Sequence, residues 1–247
     1  ENYADAKARL FLNQQPGDFA ILNHDDAITR AYAGKTPASI RWFSTAGAVD
    51  CGFWLNNGEL MAGHHAWMPA SEVPLRGRHN IENVLAAGCA AHIAGGSLDA
   101  LRKAVATFPG VEHRIEFVRT LDGVAWYNDS KATNVDATVK ALESFDGNLW
   151  VILGGKDKGS DYTTLRPLLL ERADGVLLIG AAAEKIAGHL AAAGGLGNIP
   201  IVHCGDIQQA VRHAHTHAHA GDTVLLAPAC ASFDQFQGYE HRGRVFK

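Results

Sequence analysis

Three segments of this chain concentrate side chains that can manage negative charge. Tyr127-Asn-Asp-Ser-Lys-Ala-Thr-Asn134 packs Asn, Asp, Ser, Lys and Thr into a loop that leads into a helical pattern. A helix N-terminus presents unpaired N–H groups and favours anions, and Lys131 adds a cation. An elaborate helix cap is the plainer alternative. Gly154-Gly-Lys-Asp-Lys-Gly159 follows an apolar run. Its glycines permit close backbone approach, and Lys156 or Lys158 could hold an anion; the alternative is a solvated turn. Ala227-Pro-Ala-Cys-Ala-Ser-Phe-Asp234 joins the last apolar run to the last helical one. Its small residues leave room for a ligand, and Ser232 can offer a hydroxyl and an N–H to a carboxylate. A nucleophilic role for Ser232 or Cys230 would need an adjacent base, which the sequence does not show.

Other motifs read as structural. Gly34-Lys-Thr36 resembles the end of a GxxxxGK[ST] phosphate loop, but position 29 is Thr and a helix precedes it, so a surface turn is expected. His213, His215, His217 and His219 form two i,i+4 pairs, a metal-compatible spacing that more simply describes a solvated helix face. Cys51, Cys89, Cys204 and Cys230 are far apart and read as buried reduced thiols.

The elements that must carry these segments follow from periodicity. Helices are expected over 3–14, 26–33, 78–92 and 97–107, and strands over 18–22, 39–44 and 49–56, with a turn at Asn56-Asn57-Gly58. Residues 59–76 read as further sheet and loop, and Phe108-Pro-Gly110 as a break. Beyond it, apolar runs at 148–153, 175–179, 201–204 and 223–227 alternate with helical patterns at 163–172, 182–193, 206–219 and 234–246. That alternation predicts a doubly wound parallel sheet, whose ligands gather at the carboxyl ends of its strands. The domains expected are 1–112 and 113–247, both of α/β class.

Composition agrees with a globular chain of 247 residues, 47% of them hydrophobic, with a net charge of −4. No apolar run reaches the ~18–20 residues of a membrane helix, and no Lys/Arg block suggests a nucleic-acid surface. The chain starts at Glu1 without Met, in a helical pattern rather than a signal peptide, so a fragment of a longer cytoplasmic protein is expected.

The combination NDSKATN (128–134), LGGKDKG (153–159) and PACASFDQF (228–236), with RHNIENVLAA (78–87) and His113-Arg114, resembles the Mur ligases of peptidoglycan synthesis, most nearly those that add D-glutamate. The resemblance runs in order along the whole chain. It implies the later part of a central ATPase domain followed by a Rossmann-like C-terminal domain. It also implies ATP and Mg²⁺ as cofactors, with UDP-N-acetylmuramoyl-L-alanine and D-glutamate as substrates. The family's UDP-binding domain and GKT/GKS loop have no counterpart here, so turnover by this chain alone is not expected.

Residue by residue, the resemblance assigns Lys7 to the family's carbamylated lysine, a catalytic residue and, if carbamylated, a Mg²⁺ ligand. It assigns Asn80 and Asn83 to the adenine, and His113, Arg114 and Asp129 to the nucleotide. Lys131 and Arg114 become catalytic charge partners. Thr133, Lys158, Ser232, Phe233 and Tyr239 fall to the D-glutamate site, Phe233 and Tyr239 replacing other residues found in some relatives. Two alternatives remain at this point: a folylpolyglutamate synthase-like ligase, and a non-catalytic nucleotide- or amino-acid-binding module.

Overall fold

A computed structural model describes residues 3–247. The chain divides into two compact units, Glu1–Pro109 and Gly110–Lys247. The boundary precedes the expected 112/113 division because Glu112 belongs to the second unit, where Lys247 Nζ donates to its carboxylate at 2.6 Å.

In the first unit the elements are α1 (Tyr3–Ala8), β1 (Phe19–Asn23), α2 (Ala27–Ala31), β2 (Ser39–Ser44), β3 (Gly52–Asn56), β4 (Glu59–Ala62), β5 (His65–Pro69), α3 (Arg78–Ile93) and α4 (Leu98–Ala106). The five strands lie in sequence order, β1, β2 and β3 parallel and β3, β4 and β5 antiparallel. The helix expected over 3–14 is shorter: one α-helical stretch passes into a 3-10 turn at Arg9–Phe11. The start of α2 is set by Asp26, which accepts from Thr29 N at 2.6 Å. Along α3 the buried positions Asn80, Val84, Leu85, Gly88 and Cys89 form one stripe. Val84, Leu85 and Cys89 of that stripe pack in one core with Phe53, Leu60, Trp67 and Met68 of the sheet.

The second unit contains β6 (Glu116–Leu121), β7 (Val124–Asn128), α5 (Val135–Glu143), β8 (Leu149–Gly154), α6 (Arg166–Arg172), β9 (Ala173–Ile179), α7 (Ala183–Ala192), β10 (Ile201–Gly205), α8 (Ile207–His217), β11 (Thr223–Leu226) and α9 (Tyr239–Phe246). Its sheet runs β10-β9-β8-β11-β7-β6. All pairings are parallel except that of β6 with β7. The sheet is therefore mixed rather than wholly parallel, with an antiparallel edge strand. Strand alternation places Val151 and Leu153 on one face, with Leu142, Leu169 and Ile186 of α5, α6 and α7. Trp150 and Ile152 point to the other, with Ala210 of α8 and Phe246 of α9. Helices thus cover both faces of the sheet.

Two further expectations need correction. The last helix starts at Tyr239, not at 234, because Asp234 is drawn away to accept from Ala181 N at 2.9 Å and Gly238 is fully extended. Of the four thiols, Cys51 is exposed while the other three are buried.

Candidate functional site

The central strand β11 lies between β7 and β8, and its end Leu226 pairs in register with Asn128 and Ile152. The three segments singled out in the sequence therefore leave the sheet side by side, at its carboxyl edge. Several bonds lock them together. Lys156 N donates to Ala231 O at 2.8 Å, joining the loop after β8 to the loop after β11. Gly155 makes this approach possible: its φ is +134°, and a Cβ there would run into Ala231 O, with Arg242 Nη1 3.1 Å and Cys230 Cβ 3.2 Å away.

Arg242 joins the loops after β7 and β11. It is fully buried. Its Nε donates to Ser130 Oγ at 3.0 Å and its Nη2 to Ser130 O at 2.8 Å; Nη1 and Nη2 both donate to Cys230 O at 3.1 Å. Burial lowers its pKa to about 10, so it remains charged at neutral pH. Nothing in its helical sequence context distinguishes Arg242 from a surface arginine, and the sequence reading missed it.

The loop after β7 brings several of the predicted residues into one cluster. Asn134 caps α5, accepting from Ala137 N at 2.8 Å. Lys131 is exposed and lies 5.5 Å from the centroid of the Tyr239 ring. Thr133 is half-buried beside it, its N–H donating to Lys131 O at 2.8 Å. Asp129 is buried and accepts from Ile115 N at 3.3 Å. Burial raises its pKa to about 6, against the partial opposition of that N–H and of the nearby Arg114 cation. His113 is buried, with its ring 6.1 Å from that of Tyr239. Its Nδ1 faces the Asn128 amide nitrogen at 2.9 Å, an arrangement that puts the ring proton on Nε2. That N–H is buried with no hydrogen-bond partner among the described residues, Glu112 Oε1 standing 3.7 Å away. Arg114 itself is exposed.

Around the loop after β11, Ser232 is buried and its carbonyl accepts from Phe236 N at 2.9 Å. Phe233 is exposed, and so is Lys158 on the loop after β8. Asp157 beside it accepts from Lys185 at 2.7 Å and from Tyr162 OH at 2.8 Å. Tyr162 is fully buried and its hydroxyl also meets Cys230 Sγ at 3.0 Å.

In the first unit, Asn83 Nδ2 donates to Asn80 Oδ1 at 3.2 Å, while Asn80 Nδ2 donates to Arg76 O at 2.7 Å. The two amides form one chain at the start of α3. Asn83 is the outer member. It lines an apolar groove of about 340 Å³ with Leu75, Val84, Leu101 and Phe108.

Lys7 is exposed, its ammonium 5.4 Å from the centroid of the Tyr3 ring. An ammonium cannot ligate Mg²⁺, which takes oxygen donors, and the nearby Asp5 already accepts from Tyr32 OH at 2.6 Å. The unmodified side chain thus does not fit a metal site. Glu112, His113 and Glu116 do cluster. Lys247 Nζ, at 2.6 and 2.9 Å from the two carboxylates, already supplies their counter-charge.

The structural readings of the other motifs can be compared with their surroundings. Lys35 packs 4.3 Å from the Tyr32 ring centroid and Thr36 Oγ donates to Gln14, so Gly34–Thr36 is a locally satisfied turn. In the histidine run, α8 stops at His217 rather than 219. The rings of His213 and His217 stack at 4.0 Å beside Trp150.

Comparison with known proteins gives the arrangement a family. The model of the Mur ligase middle domain matches residues 1–91, and that of the Mur ligase glutamate ligase domain matches residues 113–230. The chain belongs to the Mur ligase family. It is 58% identical over its whole length to the UDP-N-acetylmuramoylalanine–D-glutamate ligase of Solibacter usitatus, and 50% identical to that of Acidobacterium capsulatum. It spans 55% and 54% of those two proteins, about half the length of the curated relatives it matches. Among solved Mur ligases, the UDP-N-acetylmuramoylalanyl-D-glutamyl-2,6-diaminopimelate–D-alanyl-D-alanyl ligase of Acinetobacter baumannii matches 98% of the chain and 53% of its own length, with a TM-score of 0.69 at 17% identity. The folylpolyglutamate synthase of Mycobacterium tuberculosis shares the fold, with a TM-score of 0.59, 17% identity, and coverage of 88% of this chain and 51% of its own. No helix among the described residues is long and apolar enough to cross a membrane.

Proposed function

We propose that the whole protein is a cytoplasmic, ATP-dependent ligase that joins D-glutamate to UDP-N-acetylmuramoyl-L-alanine. The observation that carries this reading is the 58% identity, over all of this chain, to a ligase of that name. The charged loops gathered at the carboxyl edge of the second sheet support it. In the proposed reaction the substrate carboxylate attacks the γ-phosphate of ATP, giving an acyl phosphate and ADP. The D-glutamate amine then attacks the acyl carbon, phosphate leaves with the bonding electrons, and the amine proton is lost to form the amide. No protein nucleophile is required.

What the protein must supply is placement and countercharge for several anions. Asn80 and Asn83 suit a neutral purine edge, since an amide both donates and accepts. His113, Arg114 and Asp129 are assigned to the rest of the nucleotide, and Lys131 with Arg114 to the charge that develops on phosphate. Thr133, Lys158, Ser232, Phe233 and Tyr239 are assigned to D-glutamate, Lys158 supplying the cation a dicarboxylate needs. A Mg²⁺ role for Lys7 requires its conversion to a carbamate. That modification is detectable as an added 44 Da, on the order of one CO₂ per chain, by native mass spectrometry.

The deciding experiment is phosphate release by the complete enzyme, with each substrate omitted in turn. Release that needs both UDP-N-acetylmuramoyl-L-alanine and D-glutamate is the expected result. Release that instead needs a folate and L-glutamate would replace this reading by the folylpolyglutamate synthase one.

A further inference from the structure

The loop after β8 reads Lys156-Asp157-Lys158, so a carboxylate sits between the two cations that make the loop attractive to an anion. Left free, that carboxylate would neutralise one of its neighbours. Its surroundings direct it elsewhere. Asp157 Oδ2 lies 2.7 Å from Lys185 Nζ on α7, and both side chains are about one-third exposed or less. The Lys185 ammonium also lies 5.6 Å from the centroid of the Tyr162 ring. Asp157 Oδ1 accepts from Tyr162 OH at 2.8 Å and from Ser160 N at 3.2 Å. The Tyr162 hydroxyl is itself held against Cys230 Sγ at 3.0 Å. Lys156 and Lys158 are both exposed and have no carboxylate within ion-pair distance among the described residues.

We propose that Lys185 is a positioning residue that sequesters the Asp157 carboxylate, leaving the field of Lys156 and Lys158 open to a carboxylate of the incoming amino acid. This rests on the reading of the loop as part of the D-glutamate site. The four side chains carry a net charge of two positive. Without Lys185 the net falls to one, and the released Asp157 carboxylate becomes a competitor for the lysines. Charges a few ångströms apart near a protein surface interact strongly enough to change an anion's affinity by about tenfold.

This account differs from simple bracing of the loop, because it makes the carboxylate the harmful group once Lys185 is gone. The test is steady-state kinetics of four forms of the complete enzyme, with thermal melts to compare their folding. Lys185→Gln should raise the KM for D-glutamate about tenfold and leave the KM for ATP within about twofold. Asp157→Asn, which retains an oxygen to accept from Tyr162 and Ser160, should leave the KM for D-glutamate unchanged or lower it. The double variant Asp157→Asn with Lys185→Gln restores the original net charge and should bring the KM back to within about threefold of the parent. A double variant as impaired as Lys185→Gln, or an Asp157→Asn as impaired as Lys185→Gln, overturns the proposal in favour of bracing. Should Lys185→Gln fail to fold, Asp157→Asn alone decides: a raised KM for D-glutamate overturns the proposal and an unchanged or lowered one supports it. Lys158→Ala, run in parallel, tests the underlying site. An unchanged D-glutamate KM in that variant removes the loop from the site itself, whatever Lys185 does.

Discussion

Arg242 and Ser130, 112 positions apart, are joined through both the side chain and the backbone of the serine: Nε to Oγ at 3.0 Å and Nη2 to the carbonyl at 2.8 Å. The same guanidinium also serves the carbonyl of Cys230. A planar fork with five donors can tie two loops in this way; an ammonium cannot. Arg242→Met should leave the carbonyls of Ser130 and Cys230 buried without a donor. Each such loss costs about 1–3 kcal/mol, so a total of about 2–5 kcal/mol is expected. Chemical denaturation read by tryptophan fluorescence measures it. Arg242→Lys should recover less than half of the loss; full recovery would show that charge alone, and not the fork, holds the loops.

Gly155 gives a second test of how the loops are joined. Its φ of +134° and the Ala231 carbonyl facing it exclude a side chain. Gly155→Ala must either strain the backbone or push the loops after β8 and β11 apart, at a cost of about 2–4 kcal/mol. The expected signature is a lower denaturation midpoint together with, in the complete enzyme, weakened binding of the proposed substrate D-glutamate. Gly159→Ala serves as the control, since φ is also positive there (+80°) but no atom lies within 4 Å of the added Cβ. It should reproduce the backbone strain without the separation of the loops, and so leave D-glutamate binding largely intact.

Asp129 links the site to pH. Its folded pKa of about 6 lies above the ordinary value of 3.8, chiefly because of burial. The folded state therefore holds this proton more tightly than the unfolded chain does. The stabilisation from the protonated form is fully present below about pH 4 and is lost as pH rises through about 6. By the linkage relation the loss is on the order of 3 kcal/mol at neutral pH. Asp129→Asn should accordingly be more stable than the parent at pH 7.5, and the difference should vanish near pH 4. Denaturant midpoints across that range measure it; a constant difference would assign the effect to something other than ionisation.

Much of this architecture is legible in residue order. The runs 148–153, 175–179, 201–204 and 223–227 all became strands, because four to six apolar residues between helical patterns can be buried only in a sheet covered on both faces. The loops that follow the first and last of them carry site residues, and the third polar segment follows β7. The β6–β7 hairpin escaped notice, although Asp122-Gly123 is a strong turn signal and both residues have positive φ (51° and 80°). Its strand Glu116–Leu121 is an exposed edge with an irregular burial pattern, so its apolar periodicity is weak. Arg242 and the Asp157–Lys185 pair were illegible for a different reason. Their partners lie far away in sequence, and a buried arginine carries the same letter as a solvated one.

The proposed division of labour between Lys158 and Asn83 can be tested directly. Lys158 lies on the loop after β8, at the carboxyl edge of the second sheet, where ligands of such sheets gather. Asn83 lies on α3 of the first unit, beside an apolar groove and bonded to Asn80. A lysine offers a charge-assisted hydrogen bond to a carboxylate, whereas an amide matches the donor–acceptor edge of a purine. Losing one charge-assisted contact costs about 1.5–3 kcal/mol, which is roughly 10- to 150-fold in affinity. In the complete enzyme, Lys158→Ala should raise the KM for D-glutamate by that range while the KM for ATP moves by less than about threefold. Asn83→Ala removes neutral hydrogen bonds worth about 0.5–1.5 kcal/mol each, so the KM for ATP should rise about 3- to 10-fold with D-glutamate little affected. Equal effects on both substrates in both variants would mean that the two residues do not divide the ligands in this way. An unchanged KM for ATP in Asn83→Ala would instead leave the Asn80–Asn83 chain with the structural task of holding the first turn of α3.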